Sequence, residues 1–230
     1  MSKSLVFDSG PIINLAMNNL LWTLKPMKEK FNGEFFITES VKRECVDRPL
    51  QSRKFKYESI ETLRIIEEGT LKVYASRELK SKTLALLNLV NSLFRIKGTY
   101  VKNIQYAEVE SIAAAMLLKA NAVVIDEFIT RMLLENPINV KDRMEKKIHE
   151  TVAIDKKNIT IFKEKTIGIK SIRSLELITV AYELGIFQDY VLKIKDSKRN
   201  LLDALLWAIK LNGCSMSEQE IIEIEKIEGF

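Results

Sequence analysis

Histidine and cysteine are scarce in this sequence. His149 is the only histidine among 230 residues, and it lies in the charged segment MEKKIHETV, where we interpret it as a surface residue. Catalysis by a histidine pair, or at a histidine-rich metal site, is therefore excluded, and any chemistry must depend mainly on carboxylates. The two cysteines, Cys45 and Cys214, have no CxxC spacing. This argues against a disulfide framework or a zinc site and favours a cytoplasmic setting.

Long apolar runs and flexible linkers are also missing. No apolar stretch approaches the ~20 residues that span a membrane, and Asp8 interrupts the apolar N-terminal segment, so we predict neither a membrane partner nor secretion. The sequence contains no internal repeat, low-complexity tract or Gly/Pro-rich linker. A hydrophobic content of 47% supports a substantial core. We therefore predict a single domain over residues 1–230.

The positive charge is unevenly distributed along the chain. The net charge is +5, but residues 218–230 hold five glutamates and a single lysine. Residues 1–217 therefore carry a net charge of +9. A basic body of this kind permits a nucleic-acid partner without requiring one.

Short apolar strands alternate with amphipathic helices along most of the chain. This alternation predicts an α/β fold with a central, mainly parallel sheet and helices on both faces. The polar segment 137–157 is predicted to be a helical insertion or a mobile flap, and 172–230 a C-terminal helical extension. The predicted strands cover residues 4–7, 34–37, 70–75, 122–125 and 158–163. The predicted helices cover residues 11–22, 39–45, 55–68, 77–96, 106–120, 128–135, 174–187 and 197–213. A further capped helix is predicted after Ser217.

Carboxylates follow or flank several of these strands. Ligands of such folds bind beyond the carboxyl ends of the strands, where these side chains can meet. A cluster of carboxylates is unstable alone because like charges raise one another's pKa, and a divalent cation offsets that repulsion. Oxygen donors without histidine or cysteine indicate Mg²⁺ or Mn²⁺. The candidates are Asp8, Glu44, Glu108, Glu110, Asp126 and Glu127.

Two pairs among these candidates leave an alternative open. Glu108 and Glu110 are two residues apart, roughly 200° around a helix, so they cannot easily serve one ion together. One of them is expected to be only a favourable charge at a helix N-terminus. Similarly, one of Asp126 and Glu127 is expected to face the site and the other to face solvent.

Other candidates also have ordinary structural interpretations. Asp8 could cap the helix that begins near Pro11, and Glu44 could be a solvated helix residue. Arg131 could simply pair with Glu127, four residues earlier in the chain, rather than support the site.

Several segments, in the right order, resemble the PIN-domain nucleases, in particular a prokaryotic, largely archaeal PIN-like subfamily. VFDSGPIINLA resembles the first family motif and ITESVKREC the second, in which a valine precedes a glutamate by three. AEVESI resembles the third motif, and VVIDEFITR the fourth, with paired acids before an arginine. The C-terminal segment IRSLELITVAYELGIF is also similar to that subfamily. The chain departs from the family in having Asp-Glu where two aspartates are usual, and alanine where the third motif usually has glycine.

The resemblance implies a three-layer α/β/α fold with additional C-terminal helices and metal-dependent phosphodiester hydrolysis, usually of RNA. Mg²⁺ or Mn²⁺ would be held by the acids above, with Asp8, Glu108 and Asp126 as the metal ligands. Ser9 would hold a neighbouring carboxylate or water, and Gly10 would permit a tight turn before the helix. Arg131 would support the site. A homodimer is also expected by resemblance.

A basic segment with interleaved aromatic residues offers a surface for RNA. Its cations would hold the nucleic-acid backbone, while Phe55 and Tyr57 could stack on bases. The alternative is a solvated helix with Phe55 in the core. The predicted nucleic-acid-binding residues are Lys42, Arg43, Arg53, Lys54 and Lys56, with Arg48 beside them.

Other functions are weighed against this one. Haloacid dehalogenase-type phosphatases need a second aspartate where this chain has Gly10. Receiver domains need a set of acids and a lysine that we do not find. No P-loop motif is present, which argues against hydrolysis of ATP or GTP. Two alternatives stay open. One is a PIN-like module that binds RNA or protein with little or no activity; the other is a toxin ribonuclease with a small antitoxin partner.

Overall fold

A five-stranded parallel sheet forms the centre of the protein. The computed structural model describes residues 3–102 and 104–230. The sheet has the strand order β3-β2-β1-β6-β8, and a second, antiparallel sheet has the order β5-β4-β7. The predicted parallel sheet is thus confirmed. The strands are β1 (Lys3–Phe7), β2 (Gly33–Thr38), β3 (Leu71–Tyr74), β4 (Phe94–Ile96), β5 (Thr99–Tyr100), β6 (Ala122–Val124), β7 (Val152–Ile154) and β8 (Lys170–Ile172).

Helices cover both faces of the parallel sheet, because the central strands are apolar on both sides. Leu5 and Phe7 of β1 pack into one core, and Val6 between them packs into the other. This gives the predicted three-layer α/β/α arrangement. The helices are α1 (Ser9–Met17), α2 (Leu24–Phe31), α3 (Glu39–Lys42), α4 (Arg48–Leu50), α5 (Lys56–Glu67), α6 (Arg77–Val90), α7 (Tyr106–Leu118), α8 (Phe128–Glu135), α9 (Pro137–Ile148), α10 (Lys156–Thr166), α11 (Ser174–Glu183), α12 (Ser197–Leu211) and α13 (Glu218–Ile227).

The segment NITIFK is helical, so the strand predicted there is wrong. Asp155 caps α10, accepting a hydrogen bond from the Asn158 backbone N–H at 3.1 Å. Ile159, Phe162 and Thr166 follow at helical spacing, and Phe162 and Thr166 are buried. The β-branched residues suggested a strand, but the cap and the buried helical face determine the structure.

The region predicted to be a helical insertion or a mobile flap is largely helical, as the first of these alternatives expects. It forms α9 and then β7, which pairs antiparallel with β4. The helix predicted over 77–96 ends at Val90, and its last residues belong to β4 instead. The second sheet and β8 were not predicted.

The helix predicted over residues 39–45 extends beyond them. It continues from α3 through a π-helical turn, Arg43–Asp47, into α4, where proline occupies the first turn. Proline is tolerated in the first turn because its missing N–H has no helical partner there. Glu44 lies on the π-helical turn, a type of irregularity that often occurs at functional sites.

The C-terminal helices pack on the same core as α1. Arg173 donates to Glu176 and, at 2.8 Å, to Glu220, which connects α11 to α13. Ser217 and Glu220 form the predicted capping box of α13. Among the helices of residues 3–102 and 104–230, none is long and apolar enough to cross a membrane.

Candidate active site

Two aspartates lie at the carboxyl ends of neighbouring strands. Strands β1 and β6 are paired so that Phe7 is opposite Val124, and the Asp8 backbone N–H donates to the Val124 carbonyl at 3.0 Å. Asp126 follows β6 by two residues. A side chain built at Gly10 would place its Cβ 3.6 Å from the Asp126 Cβ and 3.9 Å from Asp8 Oδ2. Gly10 therefore lies between the two acids.

The Asp8 carboxylate is buried, and one of its oxygens has no hydrogen-bond partner within residues 3–102 and 104–230. It is 2% exposed, and its Oδ1 accepts no hydrogen bond from the part of the chain that the structure describes. Burial raises the pKa of Asp8 to about 6, the dipoles of the Ser9 and Gly10 amides oppose this, and repulsion from Glu44 and Asp126 adds to it. Asp8 occupies the N-cap of α1 but makes no capping hydrogen bond with its side chain. Asp8 therefore lies at the capping position of α1, and the Ser9 and Gly10 amides at the start of that helix partly offset the cost of its burial.

Asp126, in contrast, is held by several donors. Its Oδ1 accepts the Ser174 backbone N–H at 2.7 Å, and its Oδ2 accepts the Ser174 hydroxyl at 2.7 Å and the Asn14 amide at 3.4 Å. Asn14 also donates to the Ile209 carbonyl at 2.8 Å. Burial raises the pKa of Asp126, and the Ser174 hydrogen bonds oppose that shift. This carboxylate therefore links β6 to α1 and α11, a role that the sequence did not indicate.

Glu108 and Glu110 point to different neighbours. The Thr130 hydroxyl donates to Glu108 Oε2 at 2.6 Å. Burial raises the pKa of Glu108 to about 7, the Thr130 hydrogen bond opposes this, and repulsion from Asp8 and Glu127 adds to it. Glu110 instead accepts the Ser40 backbone N–H at 3.1 Å. Of this pair, Glu108 is therefore the carboxylate that the charge of Asp8 affects.

Glu44 and Glu127 lie at the border of this site. Glu44 is half-buried on the π-helical turn, and its charge raises the pKa of Asp8. Glu127 is exposed and caps α8, accepting the Thr130 backbone N–H at 2.7 Å. Thr130 thus holds Glu127 through its backbone and Glu108 through its hydroxyl.

The structure changes the expectations for three supporting residues. Arg131 pairs with Glu135 at 3.4 Å rather than with Glu127. The Ser9 hydroxyl makes no hydrogen bond within residues 3–102 and 104–230, whereas the Ser9 carbonyl accepts the Cys45 thiol at 3.8 Å. Gly10 lies inside α1 with an ordinary helical backbone, so the predicted tight turn is wrong.

The basic segment is largely exposed. Phe55 is 41% exposed and Tyr57 67%, so the alternative that places Phe55 in the core is wrong. The Lys54 ammonium lies 4.5 Å from the centre of the Phe55 ring. Lys42 forms an ion pair with Asp47 at 2.7 Å. The other predicted cations of the segment are exposed, namely Arg43, Arg53 and Lys56.

The donors suit a hard divalent cation, but they are not gathered into a finished cluster. Over residues 3–102 and 104–230, no three histidine, cysteine, aspartate or glutamate side chains lie close enough together to hold a metal ion. Asp8 nevertheless presents a buried oxygen without a hydrogen-bond partner. The charges of Glu44 and Asp126 raise the pKa of Asp8, and the charge of Asp8 raises the pKa of Glu108. Carboxylate oxygens are the donors that Mg²⁺ and Mn²⁺ prefer.

Glu108 gives this site a measurable pH dependence. Its pKa rises from 4.5 to about 7 on folding, so the folded protein binds this proton more tightly than the unfolded chain. The contribution of Glu108 to stability therefore falls as pH rises through that range. In EDTA, we expect wild type to lose stability relative to Glu108→Gln between these pH values, as measured by urea unfolding. A difference between the two proteins that does not change with pH would contradict this assignment.

A family model matches more than half of the chain. A model of the DUF3368 family, described as a PIN domain, matches residues 4–137. The matched region begins in β1 and contains Asp8, Glu44, Glu108 and Asp126. No curated protein and no solved structure matches the chain significantly.

Proposed function

This chain belongs to the PIN-domain family, and on that basis we propose that it is a metal-dependent ribonuclease that hydrolyses phosphodiester bonds. The observation that carries the proposal is Asp8. A buried carboxylate that lacks a hydrogen-bond partner for Oδ1 and is repelled by its neighbours is costly to folding unless a cation binds it. Proteins keep such destabilising groups where function needs them.

We propose that Asp8 and Glu108 hold the cation, with Asp126 and Glu44 completing its surroundings. A bound Mg²⁺ or Mn²⁺ would lower the pKa of an attacking water and neutralise charge on the leaving oxygen. Thr130 fixes one oxygen of Glu108, and Ser174 fixes both oxygens of Asp126. These hydrogen bonds orient the carboxylates before substrate arrives, which limits the reorganisation needed during the reaction.

RNA would be held mainly through its phosphates. The exposed cations of the basic segment lie on both sides of Glu44 in the chain, and the exposed rings of Phe55 and Tyr57 offer stacking surfaces. Contacts of this kind carry little sequence information, so we expect binding that depends strongly on salt and weakly on sequence.

One observation favours a second candidate function. The acidic side chains of residues 3–102 and 104–230 form no ready-made group of three. A chain that kept the PIN fold but lost activity would have this property and could serve as an RNA-binding module.

The two functions are separated by incubating the protein with single-stranded RNA, and with DNA of the same sequence, in EDTA, Mg²⁺ or Mn²⁺. We expect cleavage of RNA that requires the metal and that falls about 100-fold in Glu108→Gln. The matched control is Glu164→Gln, an exposed residue of α10, which should cleave like wild type. RNA binding in EDTA without cleavage in either metal would instead support the binding module.

A further inference from the structure

A second concave region lies along the same edge of the parallel sheet. It is a cavity of about 600 Å³, and the residues that directly follow β2 and β3 form part of its wall. Glu39 and Ser40 follow β2, and Ala75 and Ser76 follow β3. The cavity is therefore built at the carboxyl ends of strands, where ligands of open α/β sheets bind.

Three cations line this cavity: Arg43, Arg77 and Lys80. None of them forms an ion pair within residues 3–102 and 104–230. Two carboxylates, Glu39 and Glu110, also line it, and Glu110 is already engaged by the Ser40 backbone N–H at 3.1 Å. Three cations without carboxylate partners are a suitable environment for a phosphate group.

The cavity also has apolar surface. Leu84 is 46% exposed and lines it together with the half-buried Tyr106. Burial and the adjacent Glu110 carboxylate raise the pKa of Tyr106, so its hydroxyl stays neutral. A volume of about 600 Å³ lies in the usual range of small-molecule sites, about 300–1,000 Å³. A cavity of this size can hold more than a bare phosphate ion.

The cavity adjoins the candidate active site. In the sheet order β3-β2-β1-β6, the cavity lies at the first two strands and the two aspartates at the last two. Strands β2, beside the cavity, and β1, which ends just before Asp8, are therefore neighbours, ~4.8 Å apart. Helix α7 also connects them, since Glu108 faces the active site and Glu110, two residues later, lines the cavity.

We propose that this cavity binds a nucleotide of the single-stranded RNA substrate next to the phosphate that is cleaved. Arg43, Arg77 and Lys80 would hold its phosphate, and Tyr106 and Leu84 would contact its base or sugar. The proposal rests on the function proposed above and adds to it a defined binding subsite, two of whose three cations lie outside the basic segment.

Binding in EDTA tests the subsite separately from cleavage. The probe is a short fluorescent oligouridylate, and its affinity is measured by anisotropy over a range of salt concentrations. For Arg77→Ala combined with Lys80→Ala, we expect affinity to fall about tenfold or more, and the slope of log affinity against log salt to shrink by about 0.7, the value for the one phosphate that the cavity would hold. Thermal melts establish that each variant is folded.

The matched control is Lys163→Ala combined with Lys165→Ala, which removes two exposed cations of α10. It changes the net charge by the same amount as the Arg77→Ala, Lys80→Ala variant. It should bind the RNA almost as wild type does. Equal losses in the two double variants would mean that only overall charge matters and would overturn the subsite.

A competition experiment on the wild-type protein tests the class of ligand. Uridine monophosphate should displace the oligonucleotide at lower concentration than inorganic phosphate does, because only the nucleotide can use Tyr106 and Leu84. Equal competition by the two would overturn a nucleotide subsite. If the proposed activity fails, cleavage is absent while these binding results persist; if the subsite fails, cleavage persists and the double variant binds like its control.

Discussion

Replacing Asp8 with asparagine is expected to abolish most RNA cleavage while making the metal-free protein more stable. Without the Asp8 carboxylate, the cation should stabilise the transition state by several kcal/mol less, so the rate should fall about 1,000-fold. The same change removes a buried charge that burial and two neighbouring acids make unfavourable. The two readouts are the single-turnover rate in Mg²⁺ or Mn²⁺ and the melting temperature in EDTA.

The expected gain in stability follows from the direction of the pKa shift. The pKa of Asp8 rises from 3.8 to about 6 on folding, so its ionisation above that pH opposes folding. The amide of asparagine is neutral but still lacks a hydrogen-bond partner, and this cancels part of the expected gain in the free energy of unfolding. At mildly alkaline pH the net effect is about 1 kcal/mol, or roughly 2–4 °C in melting temperature for a chain of this size. The control is Asp142→Asn, an exposed residue of α9, which should change neither readout.

A destabilised Asp8→Asn protein would contradict this account, because it would mean that the carboxylate is satisfied in the fold. An active Asp8→Asn protein would remove Asp8 from the chemistry. The two readouts therefore test separate parts of the same assignment.

Replacing Asp126 with alanine is expected to have the opposite effect on stability. This carboxylate accepts hydrogen bonds from the Ser174 amide, the Ser174 hydroxyl and the Asn14 amide. Its removal leaves buried donors of α1 and α11 without partners and opens a small cavity. We expect a loss of about 3 kcal/mol in the free energy of unfolding, or roughly 6–12 °C in melting temperature.

Ser174→Ala provides the matched comparison for this second prediction. It removes the hydroxyl donor but keeps the backbone N–H that donates to Asp126, so its loss should be only about 1 kcal/mol. Urea unfolding of the three proteins measures both effects. An Asp126→Ala protein as stable as wild type would contradict the anchoring role.

The central fold was predictable because its strands are short, apolar and buried on both faces. Strands β1, β2, β3 and β6 were identified from such runs and their flanking signals. NITIFK misled the prediction because isoleucine, threonine and phenylalanine also favour strands, and only its packing shows the helical face of Ile159, Phe162 and Thr166. The π-helical turn that carries Glu44 had no signal in the sequence.

The candidate site was predictable only in part. Asp8 and Asp126 could be placed because each directly follows a predicted strand, and parallel strands end at one edge. The sequence could not separate Glu108 from Glu110, because the difference depends on Thr130 and Ser40, which approach from other elements. The anchoring of Asp126 by Asn14 and Ser174 likewise joins residues that are distant in the chain.

The cations of the further cavity show the same limit. Arg77 and Lys80 belong to the first turn of an amphipathic helix, where the sequence suggests only a solvated face. Their approach to Arg43 depends on the packing of α6 beside the ends of β2 and β3.

The most direct test of the central claim is RNA cleavage in water labelled with a heavy oxygen isotope, with Mg²⁺ or Mn²⁺ present. If the carboxylate site promotes attack of water on phosphorus, mass spectrometry of the products will find the label in a terminal phosphate, and Asp8→Asn will yield almost no labelled product. Unlabelled products that end in a cyclic phosphate would contradict the account, because they would show that a ribose hydroxyl, and not water, attacks the phosphorus.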